Sequence, residues 1–455
     1  MEAEKKLSQF VTDTRYDSLP RDAVQEIKNV VLNICGTVVA GSTREGCRSL
    51  VDQVRDWGGK EEATILIHGG KVPAYNAAFA NAYMARALDI DDAMFPGMHV
   101  GASTVSAALA AAELTGGCSG QEFLTALTLG HEIAARFNAV TEYVGFDPTG
   151  VCTIFGTATA AGRILGLNPD QMLNTLALAF NKSGGSFQAN VDGSLAVRAI
   201  QGFAAQGGII SAQLAKQGIN GPKQFVEGVY GYLHLYGRDA HTAEDVTGKL
   251  GDYFTFPGNL LFKKHPSCAC TEAGTDAILY LIEENGLTPE NVDRIDIKVS
   301  PIAYNLVGHP FEIGDTPTVN AQFNVRYCVA SALLRKGSRL QYFEESQIRD
   351  PRITELLDKI HIILDKDLEG VMPLHLKADM TVSTTKGDVY QKAVDYPRGA
   401  PGNPMNEEEF RACFRDYVSY GPKALPAERV EKIIDLVNRL EEVEDVRALV
   451  PLLLV

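Results

Sequence analysis

Helical segments rich in small residues dominate the first part of this sequence. Residues 104–114 (TVSAALAAAEL) and 153–167 (TIFGTATAAGRILGL) consist mainly of alanine, glycine and threonine, and residues 74–90 and 195–218 have the same character. Small side chains let helix backbones approach one another closely. The sequence therefore predicts a closely packed helical body over about the first 260 residues.

The pattern changes after Pro266. Residues 292–300 (VDRIDIKVS) alternate in polarity and are predicted to form a strand, and 376–396 is predicted to form a hairpin around Lys386, Gly387 and Asp388. Between them, 321–334 and 350–360 have helical character.

A linker and a return to helices follow this second unit. Residues 397–405 (PRGAPGNPM) are rich in proline and glycine, and Asn406 with Glu409 is typical of a helix N-cap. The predicted fold is mainly α, with a large helical domain formed by 1–266 and 397–455. A smaller α/β lid domain, 267–396, is inserted before the C-terminal helices.

Composition restricts the class of partner. The net charge of −15 argues against nucleic acid or an anionic membrane as the main partner. No apolar run reaches the roughly 18 residues that span a bilayer, and the N-terminus does not resemble a secretory signal, so we expect a cytoplasmic protein. The eight cysteines are scattered and only Cys268 and Cys270 form a close pair, so we expect reduced thiols and no metal site.

The stretch ALDIDDAMFPGMHVGAST, residues 87–104, is the first candidate site. It places Asp89, Asp91 and Asp92 shortly before His99 and a helix predicted to begin near Ser103 or Thr104. Carboxylates held this close repel one another, so at least one should have a raised pKa. A histidine near a helix N-terminus should be neutral and available as a base. The alternative is a solvated turn followed by a hydrogen-bonded loop histidine.

Cationic and aromatic candidates lie further along the chain. Lys263 and Lys264 fall at the predicted domain junction, where they bind a carboxylate or simply face solvent. Arg198 either reaches a site or extends along a helix surface to water. Tyr143 and Asp147 lie in a turn containing glycine and proline. Phosphate-binding, dinucleotide-binding and serine-hydrolase motifs are absent from the sequence, which argues against those activities.

Several of these stretches occur together, in the same order, in one known family. They are LPRDAVQEIKNVVLNICGTVVAGS, AAFANAYMARALDIDD with its L-D-x-D-D signature, GFDPTGVCTIFGTATAAGRILGL, FKKHPSC, NAQFNVRY and PGNPMNEEEF. Across nearly its whole length the chain thus resembles the MmgE/PrpD family, whose members include 2-methylcitrate dehydratases, cis-aconitate decarboxylases and an iminodisuccinate epimerase.

The resemblance implies a homodimer with its active site between the two domains, and neither a metal nor an organic cofactor. By position, Asp89, Asp92 and His99 take the roles of the signature and the following histidine. Lys263 matches the family's F-K lysine, and Tyr327 matches the tyrosine of its Q-F-S-x-x-Y motif.

The chain also departs from the family pattern. Ala93 replaces a common threonine, Asp147 the histidine of G-F-H-P, Arg198 a lysine, and Glu272 a histidine after the cysteine motif. Two histidines have thus become carboxylates, which would suit a substrate with fewer carboxylates or with a cationic nitrogen.

The resemblance implies a lyase that moves a proton at a carbon next to a carboxylate of a small di- or tricarboxylic acid. In this interpretation His99 moves the proton, and Asp89 or Asp92 orients the His99 ring. Lys263 and Arg198 bind carboxylates of the substrate. Tyr143, Asp147 or Tyr327 serves the opposite face. Lys264 and Glu272 complete the predicted substrate-binding set. A dehydratase is the first prediction. The alternatives are an epimerase, a decarboxylase and a non-catalytic protein that binds a small acid.

Overall fold

The computed structural model describes residues 2–95, 97–368 and 376–455. In these ranges the fold is mainly α-helical, as the sequence predicted. The helices of the first part are α1 (Glu2–Asp13), α2 (Arg21–Gly41), α3 (Cys47–Trp57), α4 (Ala74–Arg86), α5 (Gly101–Thr115), α6 (Gly120–Ala139), α7 (Pro148–Ile164), α8 (Pro169–Phe180), α9 (Gln188–Val191), α10 (Ala196–Lys216), α11 (Tyr232–Leu235) and α12 (Ala243–Thr247). Two short antiparallel pairs join β1 (Ala63–Thr64) to β2 (Lys71–Val72) and β3 (Ala93–Met94) to β4 (Leu260–Leu261).

Glycines set the distance between the central helices. A Cβ atom on Gly130 of α6 would lie 2.8 Å from the carbonyl oxygen of Gly156 on α7, and one on Gly156 would lie 2.7 Å from that of Gly130. On α10, a Cβ on Gly208 would lie 2.6 Å from the backbone of Ala158 in α7. These approaches exclude side chains, which explains the small-residue segments.

The second unit is built on a four-stranded sheet in the order β6-β5-β7-β8. Its helices are α13 (Ala269–Asn285), α14 (Pro301–Val307), α15 (Pro317–Gln322), α16 (Val325–Arg335), α17 (Glu345–Ile348) and α18 (Pro351–Leu357), and its strands are β5 (Val292–Val299), β6 (Ile360–Leu364), β7 (Ala378–Thr384) and β8 (Val389–Val394). Strands β5, β7 and β8 pair antiparallel, while β6 runs parallel to β5 with Ile360 opposite Ile295. The predicted strand at 292–300 and the predicted hairpin are confirmed.

Three predicted helix boundaries differ from the structure. The helix predicted over 350–360 ends at Leu357, because Ile360–Leu364 pairs with buried β5 instead of continuing the helix. The helix predicted over 321–334 is interrupted, and the Asn324 side chain accepts a hydrogen bond from the Tyr327 N–H to start α16. Helix α5 begins at Gly101, before the predicted start, because Asp92 supplies an acceptor for its first N–H group.

The chain returns to the helical body after the sheet. Helix α19 (Glu407–Ser419) begins with the predicted Asn406–Glu409 capping box, and α20 (Ala427–Asn438) follows. Phe414 of α19 packs onto Gly36 of α2, where a Cβ would lie 3.0 Å from its ring. A 3₁₀ segment, Val446–Leu453, buries Leu449 and Leu453 in the same body.

Buried apolar residues form two main clusters. One contains residues between 3 and 260 together with residues between 410 and 453, and the other lies mostly between 261 and 400. Ala93 and Val197 belong to the second cluster although they precede it in the chain. Along the chain, the core changes between Leu260 and Leu261 and again between Ala400 and Phe410. Within the described ranges, no helix has both the length and the apolar composition that crossing a membrane requires.

Candidate active site

A cavity of about 390 Å³ opens between the helical body and the second unit. Both units contribute to its lining, which is composed of Arg86, Ala93, Gly97, His99, Tyr143, Gly145, Asp147, Thr149, Ser186, Phe187, Gln188, Asn190, Val191, Cys268, Ala269, Cys270, Ile302, Asn305, Leu306, Phe323 and Leu376. Its inner end is polar and buried, whereas Gln188, Val191 and Ile302 near its mouth are exposed. A small molecule that enters from the mouth therefore meets the titratable groups at the closed end.

The turn after α4 brings three separate parts of the chain together. Helix α4 ends at Arg86, and Asp89 adopts a left-handed backbone conformation with φ of 55°. Strand β3 then pairs with β4, which ends two residues before Lys263. The pairing places the Lys263 ammonium against the acidic turn although 174 positions separate Lys263 from Asp89 in sequence.

Asp89 is the centre of a buried ion-pair network. Its side chain pairs with the Arg86 guanidinium, and its Oδ2 accepts a hydrogen bond of 2.8 Å from Lys263 Nζ. Lys263 Nζ also donates to the Asp89 carbonyl oxygen at 2.9 Å. Burial, and then the Arg86 charge, lower the pKa of Lys263 to about 8. The Lys263 ammonium thus touches Asp89 and lies behind the cavity wall, whereas Arg86 lines the cavity.

His99 lies beside Asp91. The His99 Nδ1 is 3.2 Å from Asp91 Oδ2, and its Nε2 is 3.9 Å from Asp89 Oδ1. Burial, and then the positive charge of Arg86, lower the pKa of His99 well below its usual value. Burial alone would raise the pKa of Asp91, but His99 and Arg86 lower it further than burial raises it. The site therefore presents a neutral imidazole next to a carboxylate.

Asp92 has a different environment from its neighbours. It is fully buried, its Oδ2 accepts a hydrogen bond from Gly101 N–H at 3.2 Å, and its own N–H donates to Asn33 Oδ1 at 3.1 Å. Burial, and then the Asp91 charge, raise the pKa of Asp92 to about 8. The raised pKa expected in this triplet is therefore that of Asp92, which is protonated at neutral pH and starts α5.

Tyr143 and Asp147 occupy another part of the wall. The Tyr143 hydroxyl donates to Asn138 Oδ1, and burial raises its pKa well above the usual value. Asp147 is the N-cap of α7, where its Oδ1 accepts from Thr149 N–H at 2.9 Å. Burial raises the pKa of the Asp147 carboxyl, and the Thr149 hydrogen bonds lower it by less. Both groups line the cavity, and burial raises the pKa of each.

Other residues predicted for the site lie outside the cavity lining. Arg198 is buried and donates to the Glu45 carbonyl oxygen, and Tyr327 donates to the Tyr342 carbonyl oxygen. Lys264 is exposed to solvent. Glu272 is buried behind the wall, where burial and then the Asp276 charge raise its pKa well above the usual value. Of the predicted set, His99, Tyr143 and Asp147 thus line the cavity. Asp89, Asp92 and Lys263 are buried at the acidic turn, and these four residues lie elsewhere.

Arg86, Cys268 and Cys270 line the cavity and Asp91 contacts His99, although the sequence predicted no individual role for any of them. Arg86 ends an alanine-rich helix, where an arginine usually extends to solvent. Cys268 directly precedes α13. A hydrogen bond from Cys270 lowers the pKa of Cys268 to about 6; this effect outweighs that of burial, and the Lys263 charge adds to it. Their signal in the sequence was proximity: Arg86 lies three residues before Asp89, and Cys268 five after Lys263.

Asp89, Asp91 and His99 are residue types that commonly bind metal ions. Ligand atoms of Asp89, Asp91 and His99 all lie within 4.8 Å of one another. However, the Arg86 guanidinium already pairs with both carboxylates, and Lys263 pairs with Asp89. A divalent ion placed here would face two neighbouring cations, so these residues suit ion pairing better than metal binding.

Comparison with known proteins identifies the chain over most of its length. The MmgE/PrpD N-terminal domain matches residues 5–244, and the MmgE/PrpD C-terminal domain matches residues 265–442. A cis-aconitate decarboxylase of Homo sapiens is 26% identical over 446 residues, covering 94% of this chain and 90% of the relative. A cis-aconitate decarboxylase-like protein of Aspergillus oryzae is 25% identical, with 98% and 96% covered. A cis-aconitate decarboxylase of Aspergillus terreus is 22% identical, with 98% and 95% covered.

Proposed function

The chain belongs to the MmgE/PrpD family, and on that premise we propose that it is a cofactor-independent decarboxylase of a small unsaturated carboxylic acid. The named relatives favour this reaction over the dehydratase that the sequence analysis placed first. The relatives are distant, so the proposal depends on the chemistry of this chain's own residues. The observation that carries this proposal is that the Arg86 cation and a neutral His99 both line the closed end of one cavity.

Decarboxylation needs a group that binds a carboxylate and a group that handles a proton. When the carbon–carbon bond breaks, carbon dioxide leaves and the electron pair stays on the remaining carbon skeleton. A proton then forms a new C–H bond with that electron pair, so atoms and charge balance without an oxidant or reductant. Fixed positive charge near the developing carbanion lowers the barrier, because it acts where negative charge increases.

The residues divide these tasks by position. Arg86 lines the cavity and binds a substrate carboxylate, although it shares its charge with Asp89 and Asp91. The neutral His99 takes up a proton from solvent and delivers it to the remaining carbon. Asp91, 3.2 Å from His99 Nδ1, holds the ring and stabilises it while it is protonated. Lys263 and Asp89 are positioning residues that fix Arg86 from behind.

Variants test these assignments directly. We expect His99→Asn to lower kcat by about 10²–10⁴-fold, the usual contribution of a general acid–base group, with an unchanged melting temperature. We expect Arg86→Gln mainly to raise KM, and Arg86→Lys to recover part of the loss. The assay is release of carbon dioxide from a panel of unsaturated di- and tricarboxylic acids that includes cis-aconitate.

Lys264→Gln is the matched control, because Lys264 lies at the same junction but is exposed and outside the cavity. It should release carbon dioxide at the wild-type rate. Wild-type turnover by a folded His99→Asn protein would contradict the assignment of the proton-moving group.

An epimerase is the second candidate, and one observation favours it. Epimerisation needs proton carriers on two faces of a carbon, and Tyr143 and Asp147, whose pKa values are raised by burial, line the same cavity as His99. An epimerase exchanges the substrate's C–H for C–D in D2O without releasing carbon dioxide. That result, rather than gas release, would assign the chain to this alternative.

A further inference from the structure

The second unit contributes an apolar wall to the cavity. Ile302 and Leu306 of α14 and Phe323, which follows α15, line it from that side. Across the mouth, Phe187 and Val191 extend the same surface from the region of α9. Ile302 and Val191 are 38% and 42% exposed, so the apolar surface begins at the mouth. A substrate that reaches His99 therefore places part of its structure against hydrocarbon.

Positive charge is scarce in the same lining. The lining residues all lie in the described ranges, and Arg86 is the only lysine or arginine among them. Its guanidinium already pairs with Asp89 and Asp91. Lys263 is covered by Asp89, Lys264 faces solvent, and Arg198 donates to the Glu45 carbonyl oxygen. Asp147 adds an acidic group to the wall. A trianionic ligand would therefore bring more negative charge than this cavity can compensate.

We propose that the cavity selects an acid with at most two carboxylates and an apolar substituent that packs against Ile302, Leu306 and Phe323. Arg86 binds one carboxylate at the closed end, and the substituent extends along the wall toward the mouth. This inference rests on the proposed function in one respect, namely that the ligand is a carboxylic acid that binds beside His99.

A cationic nitrogen in the ligand is less well supported. The acidic group available to it in the lining is Asp147, whose Oδ1 already accepts the Thr149 N–H. Asp147 is also buried, and burial raises the pKa of its carboxyl. The remaining acids nearby, Asp89 and Asp91, are paired with Arg86. An ammonium group would thus compete with the protein's own cation for the same carboxylates.

Calorimetry with unreactive saturated acids tests the proposal without requiring turnover. The probes are methylsuccinate, ethylsuccinate and butylsuccinate, with tricarballylate as the tricarboxylate. Burying one methylene group contributes about 0.8 kcal/mol, or about fourfold in Kd, so affinity should rise along the alkyl series. We expect butylsuccinate to bind at least tenfold more tightly than tricarballylate. A flat alkyl series, or tighter binding of tricarballylate, would overturn the proposal.

Two matched variants locate the effect. Ile302→Lys places a cation in the apolar wall and should weaken butylsuccinate about tenfold while strengthening tricarballylate. Ile363→Lys is the control, because Ile363 is also 38% exposed but lies on β6 outside the lining. It should leave both affinities unchanged. An equal response of the two variants would also contradict the assignment of the apolar wall.

The binding and turnover experiments fail independently. If the alkyl series behaves as expected but no acid in the panel loses carbon dioxide, the selectivity stands and the decarboxylase proposal falls. If carbon dioxide is released from cis-aconitate but tricarballylate binds more tightly than butylsuccinate, the decarboxylase proposal stands and the selectivity falls.

Discussion

Three closely spaced acids in one turn have different environments because their partners differ. Asp89 pairs with Arg86 and Lys263, Asp91 lies beside His99, and Asp92 is a protonated group that starts α5. A sequence shows that these acids are close, but not which cation each one meets. Only the pairing of β3 with β4 brings Lys263 into the turn.

Isosteric amide substitutions should separate Asp91 from Asp92. We expect Asp91→Asn to lower kcat by at least 100-fold, because His99 loses the carboxylate that stabilises its protonated form. Asp92→Asn should change kcat at pH 7 by less than about threefold, because Asp92 is already neutral there. Steady-state carbon dioxide release measures both variants. A larger loss for Asp92→Asn than for Asp91→Asn would reverse the two roles.

The raised pKa of Asp92 predicts a pH dependence of stability. In the unfolded chain its pKa is about 3.9, whereas in the folded protein it is about 8. Between these values the folded protein keeps a proton that the unfolded chain releases. This group's stabilising contribution is therefore complete below pH 4 and is lost as pH rises to 8.

Melting temperatures of wild type and Asp92→Asn from pH 5 to pH 8 test this dependence. Because asparagine has no proton to release, wild type should lose stability relative to the variant by up to about 1.4 kcal/mol per pH unit. Parallel melting curves across this interval would mean that Asp92 does not titrate as described.

Part of the cavity lining could be predicted from the sequence because a histidine and clustered acids are unusual beside an alanine-rich helix. His99 and Asp147 were predicted for the site and line the cavity. Arg86 and Arg198 occupy similar helical contexts, so the sequence could not show that Arg86 faces the cavity and Arg198 faces the Glu45 loop. That difference depends on how α4 and α10 pack against the rest of the protein, and a local sequence pattern does not predict this packing.

At the scale of elements, the content of small residues correctly predicted close helix packing, whereas a short strand could not be predicted. The small-residue helices predicted close packing, and Gly130 and Gly156 show it where α6 crosses α7. Strand β6 was missed because its five residues follow a helix directly and are ordered by pairing with β5. Local propensity cannot report a partner that lies far away in sequence.

Filling the glycine contact should destabilise the helical body. A Cβ on Gly156 would lie 2.7 Å from the Gly130 carbonyl oxygen, and backbone cannot move as easily as a side-chain end. We expect Gly156→Ala to cost about 1–3 kcal/mol, seen as a lower melting temperature. Gly184→Ala is the matched control, because nothing lies within 4 Å of its added Cβ. Equal melting temperatures of the two variants would contradict this packing argument.

At the scale of the whole molecule, the site exists only where two separately cored units meet. The helical body supplies Arg86, His99 and Asp147, and the second unit supplies Cys268 and the apolar wall. Gln322 of α15 ties them together by donating to the Leu88 carbonyl oxygen beside the acidic turn. The change of pattern after Pro266 predicted two units, and the family resemblance implied a site between them, whereas the charge balance of the cavity could be read only from the packed structure.

Proton NMR of the purified protein in D2O with the acid panel is the most direct test of the central claim. We expect a product that has lost one carboxylate as carbon dioxide and carries one deuterium at the carbon that was reprotonated, and His99→Asn should form it at least about 100-fold more slowly. Deuterium exchange without loss of carbon dioxide would instead indicate an epimerase. Loss or addition of water at unchanged carbon number would show a dehydratase and contradict the decarboxylase assignment.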